Sequence, residues 1–190
     1  MSVIIKLRAV LHFMLAHTDE VKGNKGILLR PLRASDAVEI AALANDPQIG
    51  STLRDIFPYP YTVDDARRFV DFTSINKAFH CWGICRGETL TGVISIIRQD
   101  DVYRHSGEIG FWLGTNYHNQ GIMTEAVNLA CRYAFDELKF VRIFACVFEN
   151  NEASKSVLLN NGFNLEGIRK KAVLKNNVFL DDYMLAKVNL

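Results

Sequence analysis

Hydrophobic residues along the chain recur at two periods, which divide it into helices and strands. "GILLRPLR" (Gly26 to Arg33) reads as a first strand. Beyond it, Ala37, Ile40, Ala41 and Ala44 fall at i, i+3, i+4, i+7, one face of an amphipathic helix with Ser35 as a suitable N-cap. The stretch from Asn45 to Thr62 breaks the pattern with Pro47, Pro58 and Pro60 and predicts a shaped, partly apolar loop. Thr62 and Asp65 have capping-box spacing, and Ala66, Phe69, Val70 and Thr73 continue as a helix. "FHCWGICR", a turn at Gly87 and "LTGVISIIR" predict a β-hairpin, and "SGEIGFWLG" (Ser106 to Gly114) a further strand. Val127, Ala130, Cys131, Ala134 and Leu138 define another helix. "FVRIFACVF" (Phe140 to Phe148) is a continuous apolar run, as suits a strand covered on both faces. "NNEASKSVLLNNG" predicts a short helix capped by Asn150 or Asn151 and ended by Gly162. "KAVLK" and "FLDDYMLAKV" predict closing strands around an Asn-Asn turn.

Strand, two helices, three strands, helix, strand, helix, strands is an α+β (α/β) order, with a parallel segment joined to an antiparallel meander. With 190 residues, 49% of them hydrophobic, the chain suffices for one sizeable core. The patterned domain spans residues 26–190, and residues 1–25 read as an N-terminal extension. Its charges at Lys6 and Arg8 precede only a short apolar run interrupted by His12, too short for a signal peptide or a membrane span. A cytoplasmic protein is expected, with Met14 an alternative start. A net charge of +1, from 22 basic and 21 acidic residues, gives no broad field for nucleic acid or an anionic membrane. Cys81, Cys85, Cys131 and Cys146 lack C-x-x-C spacing and read as reduced thiols, and the five scattered histidines form no ligand motif, so no metal is expected. No G-x-G-x-x-G follows a strand, which argues against a Rossmann site.

The stretch "NYHNQGIMTEA" (Asn116 to Ala126) places a glycine in a polar loop that runs directly into a helix, with no Lys-Ser or Lys-Thr pair of a P-loop. Free amides and the positive end of the helix dipole would converge there on an anion. Read without further context, a glycine before a helix is more often a plain turn.

With "RPLRASDA", "PYPYTVDDARRF", "GEIGFWLG", "NQGIMTEA", "ACVFENNEASKSVLLNNGF" and "LEGIRK" in this order, residues 26–190 resemble the GNAT superfamily of N-acetyltransferases, specifically its branch of RimJ- and RimL-like ribosomal-protein N-terminal acetyltransferases. The resemblance implies a GNAT fold, a mixed six- or seven-stranded twisted sheet flanked by about four helices, and acetyl-CoA as co-substrate. It identifies the anion as the pyrophosphate, held at His118, Asn119, Gln120, Gly121, Ile122, Met123 and Thr124. Of the family's Gln/Arg-x-x-Gly-x-Gly/Ala loop only the central Gly121 is present, since His118 and Met123 hold the other two places.

Transfer to an amine needs the neutral amine. An α-amino group titrates near about 8 and a lysine near about 10.4, so the former is the easier target at neutral pH. The resemblance implies Glu108 as general base, on a strand where an isolated reading would leave a solvent-facing glutamate; partial burial tunes a carboxylate for that work. It implies that Phe111, Trp112 and Leu113 lie beside the pantetheine arm, with a strand amide polarising the acetyl carbonyl. It implies that Asn151 contacts the cofactor and that Ser154 or Tyr183 protonates the leaving thiolate, although Asn and Ser at a helix start are also ordinary caps. "RKK" (Arg169 to Lys171) reads as a solvated strand edge or as a partner of the 3′-phosphate. The acceptor would enter along "STLRDIFPYPYT", where Phe57, Tyr59 and Tyr61 offer packing and Arg54 and Asp55 offer charge. A protein N-terminal α-amine is the expected acceptor. The alternatives are a small amine (polyamine, amino acid or aminoglycoside) or a non-catalytic CoA-binding module. An exposed edge strand near the C-terminus would support a homodimer.

Overall fold

The structure, a computed structural model, describes residues 19–189. The expectations for Lys6, Arg8, His12 and Met14, and most of the predicted extension, lie outside the described residues.

In chain order the elements are β1 (Val21–Lys22), β2 (Ile27–Arg30), α1 (Ala37–Ala44), α2 (Pro47–Ser51), α3 (Val63–Ile75), β3 (Phe79–Arg86), β4 (Thr89–Arg98), β5 (Ser106–Leu113), α4 (Ile122–Asp136), β6 (Arg142–Phe148), α5 (Glu152–Asn160), β7 (Asn164–Lys175) and β8 (Val178–Val188). The strands form one mixed eight-stranded sheet in the order β1-β2-β3-β4-β5-β6-β8-β7. All neighbours are antiparallel except β5 and β6, as strand–helix–strand connectivity requires. The eighth strand is the two-residue β1, which pairs with β2 ahead of the hydrophobic patterning that begins at Gly26. Residues before Gly26 also touch the domain: Trp82 Nε1 donates to the Asp19 carbonyl at 3.1 Å.

Two cores form on opposite faces of the sheet. Trp82, Ile84, Ile94 and Ile96 pack under α4, and Leu158 of α5 joins them. On the other face Cys85 and Leu90 meet α1 and α3. Four local expectations change. Ser35 does not cap α1; it sits inside a 3-10 turn, Ala34–Asp36, and Asp36 occupies the N-cap. There the Asp36 carboxylate accepts Arg30 Nη1 at 2.7 Å, Arg30 Nη2 at 2.9 Å and the Arg33 amide at 2.7 Å. Burial pushes this carboxyl up, yet the hydrogen bonds from Arg30 and Arg33 outweigh it and hold it below the usual carboxylate range. Hence "RPLRASDA" is a buried ion pair that fixes where α1 begins. The proline-rich loop contains α2, because Asp46 accepts the Gln48 amide at 2.8 Å with Pro47 at the first helical position. β6 is covered on one face only: Ile143, Ala145 and Val147 are buried while Phe144, Cys146 and Phe148 are partly open. β7 is longer than "KAVLK", and the turn into β8 uses Asn176 and Asn177 at φ of 48° and 62°, the left-handed pair of a tight hairpin.

Among the described residues no helix is long and apolar enough to cross a membrane. Cys81, Cys85 and Cys131 are buried, and Cys146 is half-buried.

Candidate active site

The parallel ladder between β5 and β6 is three rungs long, Ser106–Arg142, Gly107–Ile143 and Glu108–Phe144, after which the strands part. β5 stays paired to β4 as far as Leu113, so only its β4-facing amides and carbonyls are used. The gap opens beside Glu108. Gly107 permits this tight apex, since a Cβ there would meet Ile96 Cγ2 at 2.6 Å and the Phe140 ring at 2.7 Å.

One cavity, of about 760 Å³, runs from this gap to the start of α4. Its walls include Phe111, Trp112 and Leu113, the whole loop His118–Thr124, and Asn151 and Ser154 of the next helix start. The sequence-predicted cofactor residues are thus brought together along one channel. Gly121 caps α4 at φ 75°, a left-handed conformation that disfavours any other residue, and a Cβ there would enter space with no protein atom within 4 Å. The first amide along the helix to reach a carbonyl is that of Glu125, on Gly121 O at 3.2 Å. Amides before it are the orphan donors of a helix start, at its positive end. A phosphate fits this cradle. Among the described residues no lysine or arginine lines the cavity, so backbone amides would carry the charge.

The two departures from the loop pattern have structural accounts. His118 donates from Nε2 to the Leu113 carbonyl at 2.9 Å and ties the loop to the end of β5. Met123 is 9% exposed and packs into the core. Arg86, which the sequence reading did not single out, donates to Gln120 Oε1 at 2.7 Å and brings a cation beside the loop. Asn151 Oδ1 accepts the Ser154 amide at 3.1 Å, the ordinary cap, and still lines the channel.

A second cavity, of about 660 Å³, lies on the other side of the gap between the loop following α2 and strands β7 and β8. It shares Thr52, Phe111 and Trp112 with the first, so the two meet at these residues. Phe57 stacks on Tyr61 with ring centroids 4.7 Å apart and meets Trp112 edge-on at 6.1 Å. Burial pushes the Tyr61 hydroxyl up to about 12, so it stays a neutral donor. Tyr59, more than half exposed, does not join this wall.

Three ion pairs line the same cavity: Arg54 with Glu108, Arg169 with Asp182, and Lys175 with Asp55, the last at 2.7 Å. Glu108 Oε1 takes the Arg54 guanidinium, and the carboxylate is 22% exposed toward the cavity. The structure therefore gives Glu108 a cavity-facing position where an isolated strand residue would have faced bulk solvent.

"RKK" lies exposed on the edge strand β7, as a solvated strand edge would, and none of its residues lines the channel at the loop before α4. Arg169 reaches Asp182, and Lys170 reaches Asp181 at 2.7 Å. Tyr183 lines neither cavity; its ring lies under Lys155 Nζ at 4.8 Å and against the core. Arg169, Lys175 and Asp182 were missed as acceptor-side residues. The signal was present in "FLDDYM", since adjacent acids inside an apolar strand must point to opposite faces and one must be enclosed. Among the described residues no cluster of three or more His, Cys, Asp or Glu is arranged to hold a metal ion.

Comparison with known proteins gives a match of residues 27–164 to the family model described as the acetyltransferase (GNAT) domain. The chain is 34% identical over 180 residues to the probable N-acetyltransferase YjcK of Bacillus subtilis, covering 89% of this chain and 97% of that protein. It is 29% identical over 170 residues to the putative ribosomal N-acetyltransferase YdaF of the same organism, covering 84% and 90%. Among solved structures, RimL, the ribosomal L7/L12 α-N-protein acetyltransferase in complex with coenzyme A, superposes with a TM-score of 0.82 at 22% identity, covering 90% of this chain and 98% of that one.

Proposed function

The chain belongs to the GNAT acetyltransferase family, an N-acetyltransferase family that uses acetyl-CoA, and on that premise we propose that it moves an acetyl group to the α-amine of a polypeptide N-terminus. The observation that carries this reading is the meeting of two cavities at Phe111 and Trp112 with Glu108 beside the junction.

Acetyl-CoA supplies the acetyl group as an activated thioester. Its phosphates fit the amides of Asn119–Thr124, and its pantetheine arm fits the gap beside Phe111–Leu113, where amides of β5 that face away from β4 have no strand partner. One such amide would polarise the carbonyl. Glu108 faces the acceptor and takes the proton that the amine sheds as the C–N bond forms. Arg54 holds one carboxylate oxygen and leaves Oε2 for the amine. As the C–S bond breaks, the Ser154 hydroxyl, on the channel wall, is placed to return a proton to the thiolate. Tyr183, half-buried under Lys155 and lining neither cavity, is less suited to that task.

The α-amine is favoured over a polycation because the acceptor cavity balances three cations against three carboxylates and carries aromatic walls. The names of YdaF and RimL point to the same acceptor class. The test is thiol release from acetyl-CoA with a panel of N-terminal peptides, polyamines, amino acids and aminoglycosides. Release with peptides above all others is expected. Preference for a polyamine or an aminoglycoside would replace the acceptor class, and cofactor binding without turnover on any acceptor would leave a binding module.

A further inference from the structure

Asp182 is the one acid in the acceptor cavity whose enclosure the reaction scheme does not explain. Its side chain is 4% exposed. Oδ2 accepts from Arg169 Nη2, while Oδ1, also buried, has no hydrogen-bond partner among the described residues. A buried carboxylate oxygen left without a donor is costly, and a site that carries one is incomplete. The Arg169 Nη2 that reaches Oδ2 also lies 3.1 Å from Cys146 Sγ, and no described group donates to Oδ1.

The position of Asp182 relative to Glu108 follows from the strand register. Glu108 lies opposite Phe144 on β6, and Asp182 lies opposite Phe148 on the same strand. Residues directly paired share a face, and Phe144 and Phe148 are four apart, so both acids face the cavity with an offset of roughly 13 Å along the strands. A single amino acid is too short for that offset. An extended peptide of about three or four residues spans it.

The charge of the surroundings selects the kind of donor. Arg169 already neutralises Asp182, and Lys175 with Asp55 and Arg54 with Glu108 are likewise paired. A second ammonium would meet the Arg169 guanidinium at close range, whereas a neutral amide N–H supplies the missing hydrogen bond without adding charge.

We propose that Asp182 selects a polypeptide acceptor: its Oδ1 accepts a hydrogen bond from a backbone amide of the acceptor chain, a few residues beyond the terminal amine that meets Glu108. The proposal rests on the N-terminal α-amine reading and extends it to a named subsite. It makes Asp182 a specificity residue, distinct from the base.

The experiment uses the wild-type protein with serine- and alanine-started tetrapeptide amides, each methylated in turn at the second, third or fourth amide nitrogen, beside serinamide, alaninamide and 1,4-diaminobutane. The expected result is that one methylated position raises KM by about 10- to 150-fold, the span for losing a hydrogen bond to a charged group, with kcat little changed. The unmethylated tetrapeptide is also expected to outperform the single-residue amides. Because this scan needs no protein variant, misfolding cannot imitate it. Asp182→Asn then tests the assignment: the sensitive position should lose most of its penalty, a coupling that two unrelated defects would not show. Equal KM across the methylated series, a penalty that persists undiminished in Asp182→Asn, or preference for 1,4-diaminobutane would overturn the subsite. Acetylation of peptides with a flat methyl scan would remove this proposal alone. Acetylation of none of the acceptors would remove both it and the reading beneath it.

Discussion

The two cavities that meet at Phe111 and Trp112 are lined in opposite ways. Among the described residues the channel toward α4 is lined by no lysine or arginine and by one acid, Glu152, and its walls include a loop and a helix start. The acceptor cavity is lined by Arg54, Asp55, Glu108, Arg169, Lys175 and Asp182, joined in three pairs across different elements. Backbone recognition depends on φ and ψ and tolerates varied side chains. Side-chain recognition depends on each residue and can change with a few substitutions. A conserved donor with a variable acceptor is served well by such a division.

If the division holds, the largest effect comes from the one side chain charged with chemistry. Glu108→Gln keeps the shape and the Arg54 contact but cannot take a proton. We expect kcat to fall by about 10²- to 10⁴-fold, the usual contribution of a positioned base, while acetyl-CoA affinity measured by calorimetry stays within about threefold. A fall in cofactor affinity of similar size would mean that Glu108 supports the channel and not the acceptor.

On the channel side the corresponding change is Gly121→Val. It places a β-branched residue at φ 75° and a side chain in the space left for the ligand. Backbone strain of about 1–3 kcal/mol predicts roughly 5- to 150-fold weaker acetyl-CoA binding, with kcat largely restored at saturating cofactor. A loss confined to kcat would reverse the assignment of the two cavities.

The contrast also explains what was legible in the sequence. The turn at Gly121 was legible because glycine before a helix start is a backbone signal that survives in one dimension, whereas its reading as a phosphate site came from the family resemblance. The helices on the sheet and the β3–β4 hairpin were readable from periodicity. The partners of Glu108 and Asp55 were not, because Arg54–Glu108 and Lys175–Asp55 join residues far apart in the chain, and the partner of Asp182 was not, because Arg169 meets it only through the β7–β8 register. β6 misled for a related reason: its apolar run suggested cover on both faces, while Cys146 and Phe148 on one face line a cavity that an apolar sequence cannot distinguish from core. Ser35 reads as a cap because nothing local reveals that Arg30 will hold Asp36 at the same turn.

A smaller effect, from neither cavity, sharpens any pH profile used to test the base. His80 is pushed down to about 4 by burial and by the nearby Arg98, and its Nε2 lacks a hydrogen-bond partner among the described residues. The folded protein therefore keeps this ring neutral while the unfolded chain binds a proton below about 6.5. The associated stability is present above pH 6.5 and is lost as pH falls toward 4, on the order of 2 kcal/mol for a ring that is not wholly enclosed. Denaturant titrations at pH 7 and pH 5 should show that loss, and His80→Leu should reduce it. If the acid limb of activity moves with His80→Leu, it reports unfolding, and Glu108 must be judged above pH 6.5.

The smallest effect on ligand binding is expected at Met123, where the loop departs from the family's Gly or Ala. Met123 lines the channel but is 9% exposed and packs among the buried residues under α4. Its amide, two residues past Gly121, belongs to the orphan donors of the helix start whatever side chain it carries. Met123→Ala should thus cost stability, about 2–4 kcal/mol for emptying a core position, because the removed atoms leave a void the sheet cannot close. The acetyl-CoA dissociation constant, measured by calorimetry on the folded variant, should change by less than about threefold. A tighter constant by tenfold or more would show that the methionine side chain obstructs the channel, and recognition there would then depend on side chains as it does across the gap. An unchanged constant on a less stable protein is what separation of the two modes requires: the helix start binds through its amides, and the side chain at this place serves the core.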